Sequence, residues 1–110
     1  MGEREFEFNH EGLDCYRLAV DVAKWCAVQT FPSERKHLRD QMVRAADSVV
    51  LNIAEGSGNE GAVRRNHYRL AMGSAAEVVA VLELAGLSGA AARQDDLRRV
   101  GAMLSKMSRR

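Results

Sequence analysis

Apolar residues recur every three or four positions along most of this chain, in four blocks separated by short runs rich in glycine, proline or polar residues. Leu13, Tyr16, Val20, Ala23 and Ala27 form one stripe of a helix expected over about residues 11–29. Phe31-Pro32 ends it. Pro32 suits the first position of a second helix, with Ser33 and Glu34 in the turn where free amides and the dipole favour oxygen and negative charge. That helix is expected over about 32–55, with Leu38, Met42, Ala45, Ala46, Val49 and Ile53 on its stripe. Gly56 and Gly58, in the run Gly56-Ser57-Gly58-Asn59, then supply residues that tolerate positive φ after a helix end. A third helix, about 62–85, carries Tyr68, Ala71, Met72, Ala75, Val78, Val79 and Leu82, and Gly86, Ser88 and Gly89 close it. A fourth, about 92–107, presents Leu97, Val100, Leu104 and Met107, with Lys106, Arg109 and Arg110 at its negative end. Four amphipathic helices with short connections predict an all-α, up-down-up-down four-helix bundle over residues 11–107. An acidic lead-in over 1–10 precedes it, from which Phe6 or Phe8 can dock on the domain, and a basic tail over 108–110 follows.

Length and composition narrow the picture without changing it. At 110 residues the chain is one domain with room for a real core. A single proline and 5% aromatic residues suit close-packed helices and argue against a sheet. No apolar run approaches the roughly 18 residues of a membrane span. The stripes carry a surplus: Ala76, Ala80, Val81 and Leu84 on the third helix and Ala102 and Met103 on the fourth exceed what one bundle core readily absorbs. A second buried surface, and so a homo-oligomer, is expected.

Charge sums to only +1, from 16 Lys and Arg against 15 Asp and Glu, but it is graded. Residues 1–34 hold seven acids and three bases, residues 35–76 four acids and seven bases, and residues 77–110 four acids and six bases. The total is far from that of a dedicated nucleic-acid binder, whereas local basic zones keep an anionic partner open. Cys15 and Cys26 lie about 16 Å apart along one helix, too far for a disulfide. They read as small buried residues in a reducing cytoplasm, and the acidic N-terminus has no signal-peptide pattern.

The densest pattern runs from Phe31 to Glu83: Gln41-x-x-Arg44-Ala45-Ala46, Ser48, Asn52-Ile53-Ala54-Glu55-Gly56, Gly58, then Tyr68, Ala71 and Gly73-Ser74-x-x-Glu77. It resembles the four-helix bundle proteins known as 23S rRNA intervening-sequence proteins, whose relatives include the accessory variability determinant of diversity-generating retroelements. The resemblance spans nearly the whole chain. It implies a homopentameric barrel of four-helix bundles and, for the retroelement branch, nucleic acid held on an outer basic surface. The chain departs from the family's Glu-Gly-x-Gly-Arg loop by placing Asn59 after Gly58, and its near-neutral charge gives no support to a reverse-transcriptase partnership.

Within that pattern, an antiparallel second and third helix would set Arg44 level with Gly73, where Gly73 and Ser74 leave close-packing room for a guanidinium. The residues fit a buried or interfacial Arg44 paired with Glu77 or Glu55, because an unpaired buried charge is costly. A phosphate contact is the competing role. Gln41 and Asn52 read as internal hydrogen-bonding groups. Arg35, Lys36 and Arg39 on the second helix and Arg64, Arg65 and Arg69 on the third are either solvated faces or nucleic-acid contacts, and a ring of subunits would multiply each group. No aromatic platform for stacking bases is apparent, and His67 reads as a surface residue.

Enzyme chemistry finds little footing. Glu7-x-x-His10 and Glu34-x-x-His37 match a di-iron spacing, yet one precedes the first helix and the other opens the second, so neither metal nor cofactor is expected. Gly56-Ser57-Gly58 lacks the lysine of a phosphate loop. The expectation is a cytoplasmic, non-enzymatic, self-assembling bundle that serves as an RNA- or DNA-associated accessory scaffold; a protein-interaction scaffold without nucleic acid is the alternative.

Overall fold

The computed structural model describes residues 6–109, so Met1–Glu5 of the lead-in and Arg110 of the tail lie outside the described residues. Four helices form the molecule: α1 (Asp14–Ala27), α2 (Lys36–Ser57), α3 (Gly61–Ala85) and α4 (Ala90–Met107). Two short 3-10 turns, Asn9–Gly12 and Ser33–Arg35, precede α1 and α2. The α-helices therefore begin later than expected at the first two starts. Pro32 sits just ahead of the second 3-10 turn, with φ −56° and an extended ψ of 150°, instead of opening the helix itself.

Cross-helix hydrogen bonds fix the directions. Ser48 of α2 faces Ser74 of α3, and Asn52 faces His67, so the partner number falls as the residue number rises. Gln94 of α4 donates to the carbonyl of Val79 in α3, and Arg39 of α2 donates to carbonyls just after and at the end of α1. Successive helices are antiparallel, and α1 closes the bundle against α4, with Leu13 and Cys15 beside Met103 and Met107. The fold is all-α, four helices packed as one bundle.

Alanine, valine and a few long aliphatics make the core. The stripes expected for α2, α3 and α4 are largely the buried ones: Met42, Val49, Ile53, Val78, Leu82, Leu97 and Leu104 are all at most 2% exposed. Each large aliphatic contributes roughly 1.5–3 kcal/mol by leaving water. The stripe of α1 is different. Its buried face is Cys15, Ala19, Val22 and Cys26, while Tyr16, Val20 and Ala23 are half-buried and Ala27 is exposed. Both stripes are apolar at helical spacing, and the core takes the one with small side chains, which lets α1 approach α2 and α4 closely. The displaced stripe instead walls a groove with Val50 and Leu51 of α2.

The glycines divide by task. Gly86 and Gly89 adopt left-handed backbone, φ 63° and 83°, where α3 ends and α4 begins, a conformation costly for any side chain. Gly56 and Gly58 do not: Gly56 is helical, and Gly58 has φ −84°. Of the surplus apolar residues, Val81 is buried and Met103 half-buried, whereas Ala76, Ala80, Leu84 and Ala102 face solvent. No helix among the described residues is long and apolar enough to cross a membrane.

Candidate functional site

The carbonyls that a helix leaves unpaired at its C-terminus carry partial negative charge, and arginines meet them at three of the four helix ends. Arg39 donates to Ala27 O at 3.0 Å and Gln29 O at 3.1 Å, closing α1. Arg64 closes α2 through Asn59 O at 2.9 Å, Gly56 O at 3.3 Å and Ser57 O at 3.4 Å. Arg35 reaches Leu84 O at the end of α3 at 3.4 Å. Lys36 is held by Asp40 at 3.1 Å. Four of the six cations expected as nucleic-acid contacts therefore have an intramolecular partner. Arg65 and Arg69 make no hydrogen bond or ion pair among the described residues.

Asn59 is part of the same end. Its amide donates to Glu55 O at 2.8 Å, so a residue that lacks the family's positive charge still caps the helix. Asn9 of the lead-in adds a bond to Ser57 O at 3.1 Å, which ties the 3-10 turn to α2.

Beside this end lies a polar strip between α2 and α3. Asn52 donates to Ser48 O and Ser48 Oγ at 3.0 and 3.1 Å, leaving its carbonyl oxygen 2.9 Å from His67 Nδ1. His67 Nε2 stands 3.2 Å from the exposed carboxylate of Glu55. His67 is thus a half-buried bridge between helices, not the surface residue expected. Its signal in the sequence was the spacing to Asn52 across the loop, which only the register makes readable. Ser74 continues the strip by donating to Ser48 Oγ at 2.9 Å.

One step further along, Gln41, Arg44, Ala45, Ser48, Ser74 and Glu77 line a shallow cleft open to solvent. Here the structure corrects the expectation. Arg44 is exposed and pairs with neither Glu77 nor Glu55, Gln41 makes no hydrogen bond among the described residues, and Glu77 is exposed as well. The register also differs: Ser48 opposite Ser74 and Asn52 opposite His67 put Arg44 level with Glu77, not Gly73. Gly73 packs against nothing, since a Cβ built there would have no neighbour within 4 Å. With Ala76, Ala80 and Leu84 it forms the outward face of α3.

The remaining chemistry is quiet. Among the described residues no group of three His, Cys, Asp or Glu side chains is placed to hold a metal ion. Cys15 and Cys26 are free and buried. Burial pushes the Cys26 thiol up from 9.0 to about 11, with the Asp47 carboxylate adding to the rise and Arg93 opposing it; burial raises Cys15 too. Phe6, Phe8 and His10 of the lead-in and Tyr16 of α1 contact one another in succession, an aromatic row not expected from the sequence, with centroids 4.9, 6.2 and 4.6 Å apart. Phe6 and Phe8 stay 69% and 62% exposed, so neither docks into the core.

The model of the 23S rRNA-intervening sequence protein family matches residues 11–109. The chain belongs to that family. Searches among curated proteins and among solved structures found no match. For this member of the 23S rRNA-intervening sequence proteins, the shared pattern from Gln41 to Glu77 maps onto α2, α3 and the loop between them. Its Ala46, Ile53, Tyr68 and Ala71 are core, its Ser48, Asn52, Glu55 and Ser74 belong to the interhelical strip, and its Gln41, Arg44 and Glu77 line the open cleft.

Proposed function

We propose that this protein is a non-enzymatic, self-assembling scaffold that joins further copies through the outward face of α3. The observation behind this reading is what that face presents to solvent: Gly73, Ala76, Ala80 and Leu84, the last 62% exposed. Solvent-facing helix positions favour long charged side chains, and a glycine in a helix interior costs roughly 1 kcal/mol relative to alanine, a cost that a neighbour packed closely there would offset. The family resemblance implies five copies. Light scattering coupled to size exclusion, at micromolar concentration, tests the reading. A mass about five times the 12.1 kDa chain is expected, and a monomer overturns it.

A second reading rests on Arg65 and Arg69, the two candidate cations without a partner among the described residues. Gln94 opposite Val79 sets the α3–α4 register, which brings Arg109 to the height of Arg64, one residue from Arg65. In an assembly these arginines repeat around the ring and offer a backbone-directed, sequence-tolerant surface for RNA or DNA. Titration of labelled structured RNA and duplex DNA at two salt concentrations tests it. Arg65→Ala is expected to weaken salt-sensitive binding with assembly intact. Absence of any salt-sensitive binding by the wild type favours a protein-interaction scaffold.

A further inference from the structure

Tyr68 Oη and Ser57 Oγ share one 2.9 Å hydrogen bond, and that bond uses only one of the two hydroxyl protons. The other proton has no acceptor among the described residues, although Ser57 and Tyr68 are only 3% and 2% exposed. Buried hydroxyl protons are rarely left so, because the unmade bond costs free energy. Both residues line a cavity of about 230 Å³ at the loop end of the bundle, together with Asn9, Leu13, Arg64 and Met107. We propose that this cavity binds a small organic carboxylate, whose oxygens accept from the spare hydroxyl proton and from Arg64 while its apolar body lies between Leu13 and Met107.

Arg64 supplies the charge. Its Nε–H donates to Asn59 O and Gly56 O and one Nη2–H to Ser57 O, so the other three of the five guanidinium N–H groups have no partner among the described residues. The contacts that cap α2 also hold the guanidinium still, so a ligand meets a donor group that is already ordered. No acidic side chain is among the lining residues. The helix dipoles do not reverse this: α1 and α3 begin at this end and α2 and α4 finish there, so two positive and two negative helix ends largely offset one another. The guanidinium is left as the one charged group of the lining, and a carboxylate is a geometric match for its paired N–H groups.

Size and walls set the rest of the ligand. The volume lies below the roughly 300–1,000 Å³ of sites for drug-sized molecules, which selects a small one. The side chains of Leu13 and Met107 offer water no strong hydrogen bond, so an apolar group placed there displaces loosely held solvent. An inorganic anion would satisfy Arg64 and the hydroxyl but leave those walls wet, which favours an anion with a hydrocarbon arm. Asn9 forms the rim, and its amide donates to Ser57 O at 3.1 Å, so the lead-in is part of the site. All six lining residues belong to one copy, and the site is therefore independent of self-assembly.

Titration of the isotope-labelled full chain with butyrate and with benzoate, followed by nuclear magnetic resonance at constant ionic strength, tests the site. Saturable shifts at Leu13, Ser57, Arg64, Tyr68 and Met107 are expected, with a Kd of about 0.1–1 mM for at least one of the two. Inorganic phosphate and benzyl alcohol each carry half of the required chemistry and are expected to bind about tenfold more weakly or less. Ser57→Ala combined with Tyr68→Phe removes both hydroxyls at little cost to the fold, and Asn9→Asp sets a carboxylate at the rim; each is expected to raise the Kd about tenfold. Arg65→Ala removes a cation that does not line the cavity and is expected to leave the Kd unchanged. Thermal melting establishes that each variant is folded at the titration temperature. Absence of saturable shifts with both carboxylates overturns the site. Phosphate binding as tightly as they do overturns the organic ligand, and benzyl alcohol doing so overturns the role of Arg64. Unchanged binding by the hydroxyl and rim variants, or equal weakening in Arg65→Ala, overturns the placement in this cavity.

Discussion

Gly56 and Tyr68 touch where α2 meets α3: a Cβ at position 56 would stand 2.7 Å from Tyr68 Cε1, 2.8 Å from its Cδ1 and 3.1 Å from His67 Cβ. The tyrosine cannot swing away, because its ring is buried and its hydroxyl shares a 2.9 Å hydrogen bond with the buried Ser57. The loop end of the bundle is therefore set by a side chain that is missing from α2 and filled from α3.

Gly56→Ala is accordingly expected to destabilise the bundle by about 1–3 kcal/mol, the usual cost of forcing an extra methyl into a packed site. Tyr68→Phe keeps the ring and leaves Ser57 Oγ without its tyrosine partner, at about 1–2 kcal/mol. Urea unfolding of the two variants checks both, and the glycine change is expected to cost at least as much.

Capping arginines and free arginines should separate by stability. Arg64→Ala withdraws one guanidinium from three carbonyls at the end of α2 and is expected to cost about 1–2 kcal/mol. Arg65→Ala, next along the chain and without such bonds, is expected to stay within about 0.5 kcal/mol of wild type. Thermal melts of the pair at matched ionic strength are the measurement. Equal losses would mean that the carbonyl contacts contribute nothing net.

Cys26 makes stability pH-dependent on the alkaline side. Its folded-state thiol is raised to about 11 from 9.0, so the folded chain holds that proton more tightly than the unfolded one. The contribution is complete below pH 9 and is lost as pH rises toward 11. For a fully buried thiol, that difference in proton affinity corresponds to no more than about 3 kcal/mol. Replacement by alanine is expected to flatten the fall in unfolding free energy between pH 9 and 11 relative to wild type.

Much of this was readable from spacing. Periodicity placed four helices and the core faces of three, because Met42, Val49, Ile53, Val78 and Leu97 each stand on the stripe that carries the larger aliphatic side chains of its helix. It chose the wrong core face for α1, where Cys15, Ala19, Val22 and Cys26 compete with another apolar stripe and only close packing chooses between them. The site was harder. Charge alone does not say whether an arginine meets phosphate or a carbonyl, and Arg39 and Arg64 are engaged by helix ends whose positions become definite only in three dimensions. Arg44 was expected to need an internal partner because its neighbours Ala45 and Ala46 are buried, yet one position on a helix turns a side chain by about 100°, enough to bring it into solvent.

Gly73 offers a last test, since it pits the single bundle against the assembly. Within one chain the position has open space and a helical neighbourhood, so Gly73→Ala is expected to stabilise the isolated bundle by about 0.5–1 kcal/mol through the unfolded state. A bulky residue there changes nothing inside the bundle but stands where a second copy would pack. Gly73→Arg is therefore expected to leave the circular dichroism and the melting of dilute protein intact while lowering the solution mass. If Gly73→Arg assembles as the wild type does, the outward face of α3 is not the joining surface, and its run of small residues needs another cause.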